Sequence, residues 1–244
     1  MATNWQHKQD IINTPNPNHG GKYGYIPHKV FFDEIEEKLD KKGYSIIDDR
    51  IMTTKNNQII AGNYLIKGDD SEMYPAITFT NSLNKMRKAE IWGSSLVLVC
   101  RNGMTRGFSK YSRKHLGENA LPDFRKHIEI VINDLDNEFE KLKINREELK
   151  TKEIDKKVIN QLIGDMYIQE SLLTETQLSL IKKESKESTD FKEMNAWSFY
   201  NWCTQALRDQ NHALNYDKSH IRLHSYLADQ FDLTGASHLF NKVI

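Results

Sequence analysis

The chain reads as α+β: a mostly antiparallel sheet with an N-terminal helix, followed by a helical C-terminal half. Three observations predict this. Residues 44–110 contain five short runs rich in Ile, Val, Tyr, Thr and Phe, divided by turn residues. Before them, Val30, Phe31, Ile35 and Leu39 recur at helical spacing. After Pro122, apolar residues return to intervals of three and four.

Taken in order, residues 1–28 form an irregular arm, broken by Pro15, Pro17, Gly20-Gly21 and Pro27. The helix carrying Val30 to Leu39 has Gly43 just beyond its end, the residue that most readily stops a helix. The strands are expected over 44–52, 58–67, 74–80, 94–100 and 104–110. Leu96 to Cys100 is apolar without alternation, which predicts a central strand covered on both faces. Asn102-Gly103 is a favoured two-residue hairpin turn and would join the last two strands. Together, residues 29–121 make an α+β sheet domain.

Residues 122–188 are expected to form a helical hairpin region. Ile128, Val131, Ile132, Leu135, Phe139 and Leu142 make a narrow stripe of the kind that pairs helices. Asn145 with Glu148 resembles a capping box, and Thr174 with Gln177 another. Lys182 to Asp190 is polar and reads as a linker or a frayed end. Residues 189–244 supply C-terminal helices that pack back on the core. Asn195 caps the first, with Trp197 and Tyr200 as core anchors, and a last helix covers His220 to Phe231.

Composition narrows the function. The 244 residues are 38% hydrophobic and 28% charged, enough for a core without disulfides. Cys100 and Cys203 sit in apolar patterns and read as small buried hydrophobes suited to a reducing cytoplasm. No charged-then-apolar leader and no apolar run near about eighteen residues is present, so neither secretion nor a membrane span is expected. Net charge is +0, yet the window 85–126 holds ten Lys/Arg against three acids. That asymmetry suggests an anionic partner, nucleic acid first.

Catalytic patterns are weak. Phosphate-loop, dinucleotide-glycine, zincin and Cys-x-x-Cys motifs are missing, and no cofactor is expected. His220 and His224 share a helical face, but no carboxylate accompanies them at ligand spacing, so core packing is the simpler reading. Asp48-Asp49 and Asp69-Asp70 read as turn chemistry, because neighbours on a strand point to opposite faces. Cys100 with His115 would need an exposed thiol, and a thiol closing an apolar strand is ordinarily core.

The basic hairpin is the stronger signal. Arg106, Phe108 and Lys110 fall on one face of a strand over 104–110, with Arg101 before them and Arg113-Lys114 after. Cations beside an aromatic suit phosphates and stacked bases. The competing reading is an edge strand kept soluble by its charges. The candidate nucleic-acid-binding set is therefore Arg101, Arg106, Phe108, Lys110, Arg113 and Lys114.

Several segments resemble a known family. They are Phe79-Thr80-Asn81-Ser82, then Gly93, then Leu96 to Met104, then Arg113-Lys114-His115-Leu116-Gly117, and late in the chain Asn195 to Thr204. The series is similar to the phage- and plasmid-borne domain of unknown function numbered nine hundred and thirty-two, over about residues 23–232. Trp202-Cys203 departs from the smaller residues of that family's late element. The resemblance implies a phage, prophage or plasmid origin and the host cytoplasm, and it carries over no catalytic residue.

The leading expectation is a non-enzymatic protein that binds nucleic acid, single-stranded DNA above all, in replication or recombination, and that can self-associate. The alternative is an inhibitor of a host defence or restriction protein. Its contact surface would be the 129–187 region, with fourteen acids against ten Lys/Arg.

Overall fold

The structure is a computed structural model that describes residues 5–18, 24–54, 56–99, 102–106, 111–113, 120–210 and 216–244. Its architecture is α+β. Helix α1 (His28–Lys41) starts at Pro27 and stops before Gly43, whose φ of 79° is the left-handed conformation expected of a stop glycine. Four long antiparallel strands follow: β2 (Ile46–Thr53), β3 (Ile59–Ile66), β4 (Met73–Ser82) and β5 (Ala89–Val97). Three short ones complete the sheet. β1 (Trp5–Gln6) pairs with β2 at one edge, while β6 (Gly103–Met104) and β7 (Tyr111–Arg113) pair with β5 at the other.

All eight residues of β3 and all nine of β5 are buried. Alternate residues face different surroundings. Ile60, Tyr64, Ile77, Phe79 and Ile91 join Phe31, Phe32 and Ile35 of α1 in an apolar core. Phe31 stacks on Phe124, with ring centroids 4.7 Å apart. The opposite parity mixes buried polar residues, Asn63, Thr78, Thr80, Glu90 and Ser94, with apolar Leu65, Trp92 and Leu96. There Thr78 Oγ1 lies 2.6 Å from Ser94 Oγ, and Glu90 accepts from Arg87 at 2.9 Å and Thr80 at 3.2 Å. Thr78 with Ser94, and Glu90 with Thr80 and Arg87, thereby compensate their desolvation locally. β2 and β3 approach closely at Gly62, where a Cβ would lie 2.2 Å from the Arg50 carbonyl oxygen.

Helices α2 (Ala120–Asn133) and α3 (Leu135–Thr151) are separated by Asp134 alone. The narrow stripe packs α2 against α1 and α3 against a later helix (Ala196–Gln210), and it serves two cores. Ile128, Val131, Ile132 and Leu135 close the sheet core, whereas Phe139 and Leu142 enter a second core made with the later helices. Gly93 leaves the sheet open to α3, whose Leu135 and Glu138 pass 3.5–3.6 Å from where its Cβ would be. The expected cap at Asn145 is corrected: it lies inside α3 and donates to Glu148 and to the Thr234 carbonyl.

The remaining helices are α4 (Lys156–Ile168), α5 (Glu175–Glu187), α6 (Ala196–Gln210) and α7 (Tyr216–Phe231). Thr174 and Gln177 form the reciprocal capping box expected of them. Residues 182–187 are not a linker but the last turns of α5. Asn195 caps α6 by accepting from the Ser198 amide at 2.9 Å. Trp197 stacks on Tyr200, and Trp202 donates to the Phe191 carbonyl. The second core gathers Phe199, Tyr200, Cys203, Leu223 and Leu227 around Met73, Val97 and Met104 from the sheet. A tail after α7 is gripped by buried Asp229, whose carboxylate accepts from the amides of His238, Leu239 and Phe240 at 2.6–2.9 Å.

The last two expected strands, 94–100 and 104–110, differ most from expectation. The run 94–100 is displaced: β5 ends at Val97, and Val99 is exposed. The Asn102 carbonyl accepts from the Val97 amide, and Gly103 pairs with Leu96. The hairpin therefore exists, but Asn102-Gly103 opens its second strand instead of making its turn.

Candidate nucleic-acid interface

The basic window follows the outer edge of β5. Met104 stands opposite Ser95, Thr105 Oγ1 donates to the Gly93 carbonyl at 3.4 Å, and Tyr111 stands opposite Ile91. The chain from β6 to β7 thus runs antiparallel along that edge at both ends. Arg113 pairs with Ala89, which puts position 113 beside the β4–β5 turn. That turn carries Lys85, Arg87 and Lys88. Ser82 Oγ accepts from the Arg87 amide and donates to its carbonyl, and Asn84 accepts from the Met86 amide. Lys85, Met86 and Lys88 are exposed, while Arg87 is folded back onto Glu90. Position 113 and the basic run 85–88 therefore meet at one end of the sheet.

The six sequence-derived residues divide unevenly. Arg101, Phe108, Lys110 and Lys114 lie outside the described residues, and Arg113 is placed by its backbone on β7. Arg106 lies beyond β6, which ends at Met104, so the expected continuous strand face over 104–110 is corrected at its start. Its guanidinium lies 3.5 Å from the Gly235 carbonyl oxygen, over a glycine whose φ is 79°. A Cβ at Gly235 would strike that guanidinium. Arg106 therefore fastens the sheet edge to the C-terminal tail.

Asparagines join elements distant in the chain. Asn102 donates to the Asn201 carbonyl at 3.1 Å, joining the hairpin to α6. Asn81 donates to the Ile26 carbonyl at 2.9 Å and lies 3.1 Å from His28 Nδ1, fixing the start of α1. His28 Nε2 is 2.8 Å from the Asn57 carbonyl oxygen. Burial holds the His28 pKa down at about 4, against the opposing pull of that bond. His28 is thus neutral, donating to Asn57 and accepting from Asn81.

The catalytic alternatives are placed as follows. Cys203 is fully buried and its thiol is pushed up by burial, while Cys100 and His115 lie outside the described residues. His220 and His224 are buried on α7; burial, then the Arg106 charge, lowers the His224 pKa to about 3. Asp70 makes turn bonds to the amides of Glu72 and Met73 and pairs with Arg146 at 2.6 Å. Burial opposes ionisation there, yet those donors hold Asp70 at about 2.

Asp48 and Asp49 are not in a turn but in β2, past an irregularity in its pairing with β3. Oxygens from both lie within 4.8 Å of each other and of a His7 ring nitrogen, so the expectation of divergent faces is corrected. Both oxygens of Asp49 are already engaged, one by His7 and one by the Lys8 amide. The grouping is thereby an anchor for the arm. No local signal points to it, since His7 is distant in the chain and sits in an arm broken by proline.

No helix among the described residues is long and apolar enough to cross a membrane. No family model, curated protein or solved structure matches this chain.

Proposed function

We propose that the chain is a phage- or plasmid-encoded, non-enzymatic protein that binds single-stranded DNA along the outer edge of β5, acting in replication or recombination. The observation that carries this reading is the pairing of Arg113 with Ala89, which sets position 113 beside the cations of the β4–β5 turn. Phosphates are neutralised by such clusters with release of counterions. Exposed Met86 beside Lys85 and Lys88 adds an apolar contact for an unstacked base.

The test is fluorescence anisotropy with labelled single- and double-stranded DNA and RNA across a salt series. Affinity for single-stranded DNA should fall as salt rises. The double variant Lys88→Glu/Arg113→Glu should weaken binding about tenfold or more and flatten the salt slope, by roughly 0.7 for each lost phosphate contact. Its melting temperature should stay near the parent's. Absence of binding at low salt, or binding indifferent to this variant, overturns the reading.

A further inference from the structure

The segment before α1 is fastened across the free edge of the sheet at several points. β1 extends the ladder at Ile51 and Met52, and Ile11 is buried in the sheet core. The Lys8 amide donates to Asp49 Oδ2 at 2.6 Å, and His7 Nδ1 lies 2.8 Å from Asp49 Oδ1. Lys8 Nζ reaches both oxygens of Glu36 at 2.6–2.7 Å, and the buried Tyr64 hydroxyl donates to Glu36 at 2.7 Å. Beside it lies an open groove of about 650 Å³ walled by His7, Lys8, Glu36, Tyr44, Asp49 and Tyr64.

His7 is the fastener whose charge changes near neutrality. Acidic groups surround it: Asp49 and Asp48 on β2, Asp10 on the 3-10 turn at Lys8–Asp10. The nearby positive groups are spent elsewhere, Lys8 on Glu36 and Arg50 on Asp48 at 3.6 Å. The hydrogen bond and charge of Asp49 raise the His7 pKa above its ordinary 6.5. A charged pair of this sign is complete below the ordinary value and is lost as pH rises through the raised one.

We propose that residues 5–12 are a proton-responsive strap: held tightly against β2 beside the groove while His7 is charged, and loosening from β2 as His7 becomes neutral. The other fasteners remain, so the strap loosens without unfolding the sheet. An exposed pair changes the open population by a few-fold, up to about fivefold.

The test is NMR and hydrogen exchange on the full chain between about pH 5.5 and pH 9, a span chosen to bracket the histidine range. The His7 ring should titrate above the ordinary range, and the amides of Gln6, Ile51 and Met52 should shift with the same midpoint. Exchange in the strap, corrected for its intrinsic pH dependence, should rise several-fold across that midpoint, while β4 stays unchanged. H7Q should remove the pH response, and D49N should lower the midpoint toward the ordinary histidine value. Strap amides indifferent to His7 titration, or a pH response that survives in H7Q, would overturn the proposal.

Discussion

At the scale of single residues, buried polar groups decide how the sheet is finished. His28 is neutral inside the fold, so the unfolded chain binds a proton more readily than the folded one below pH 6.5. The stability it confers is complete above pH 6.5 and drains away as pH falls toward about 4. His224, lowered to about 3, acts in the same direction. Urea unfolding should therefore show a loss on the order of 3 kcal/mol from His28 between pH 7.5 and pH 4. H28Q should reduce that pH dependence, and identical stabilities at both pH values in the parent would contradict a neutral buried imidazole. Gly62 gives a second prediction. With the Arg50 carbonyl 2.2 Å from a prospective Cβ, G62A should cost roughly 2–3 kcal/mol in the same experiment. Neither feature is legible from periodicity: the pattern places Gly62 in a strand, but only the pairing with Ile51 brings a backbone against it.

At the scale of elements, local signals were readable and long-range ones were not. Pro27, Gly43, Thr174-x-x-Gln177 and Asn195 mark helix ends through chemistry confined to one turn. Asn145 carries the same local signature, yet its amide is taken by the Thr234 carbonyl, a contact no local rule contains. Asn102-Gly103 was misplaced for a related reason, since Asn102 is drawn toward Asn201 on α6. Of the candidate interface, the excess of cations was visible in the sequence. The approach of position 113 to the β4–β5 turn was not, because it depends on β7 reaching back to Ala89. The C-terminal tail is another long-range construction. Asp229→Ala removes the acceptor for three amides and should free residues 237–240, seen as faster hydrogen exchange there and a loss of about 2–4 kcal/mol. Unchanged protection in that variant would mean that the tail is held by its apolar contacts alone.

At the scale of the whole molecule, the stripe from Ile128 to Leu142 behaves as a bridge between two cores, one beneath α1 and one among the later helices. Sequence periodicity reports that a helix face is apolar, but not which of two cores receives each turn. Arg106 belongs to the same scale, because it ties the sheet edge to the tail at Gly235. Arg106→Ala should lower the melting temperature by a few degrees, the equivalent of about 0.5–1.5 kcal/mol. A loss of DNA binding in that variant must therefore be compared with K88E, which leaves this tie intact.

The division into two cores also orders events during synthesis. Each strand of the β2–β5 meander pairs with its predecessor, and α1 already stands before it, so the first core can close once Leu135 has left the ribosome. Met73, Val97 and Met104 then wait with apolar surface uncovered until Phe199 and Leu227 arrive. A nascent chain halted between those points presents a finished sheet with one sticky end, the species on which chaperones and aggregation compete.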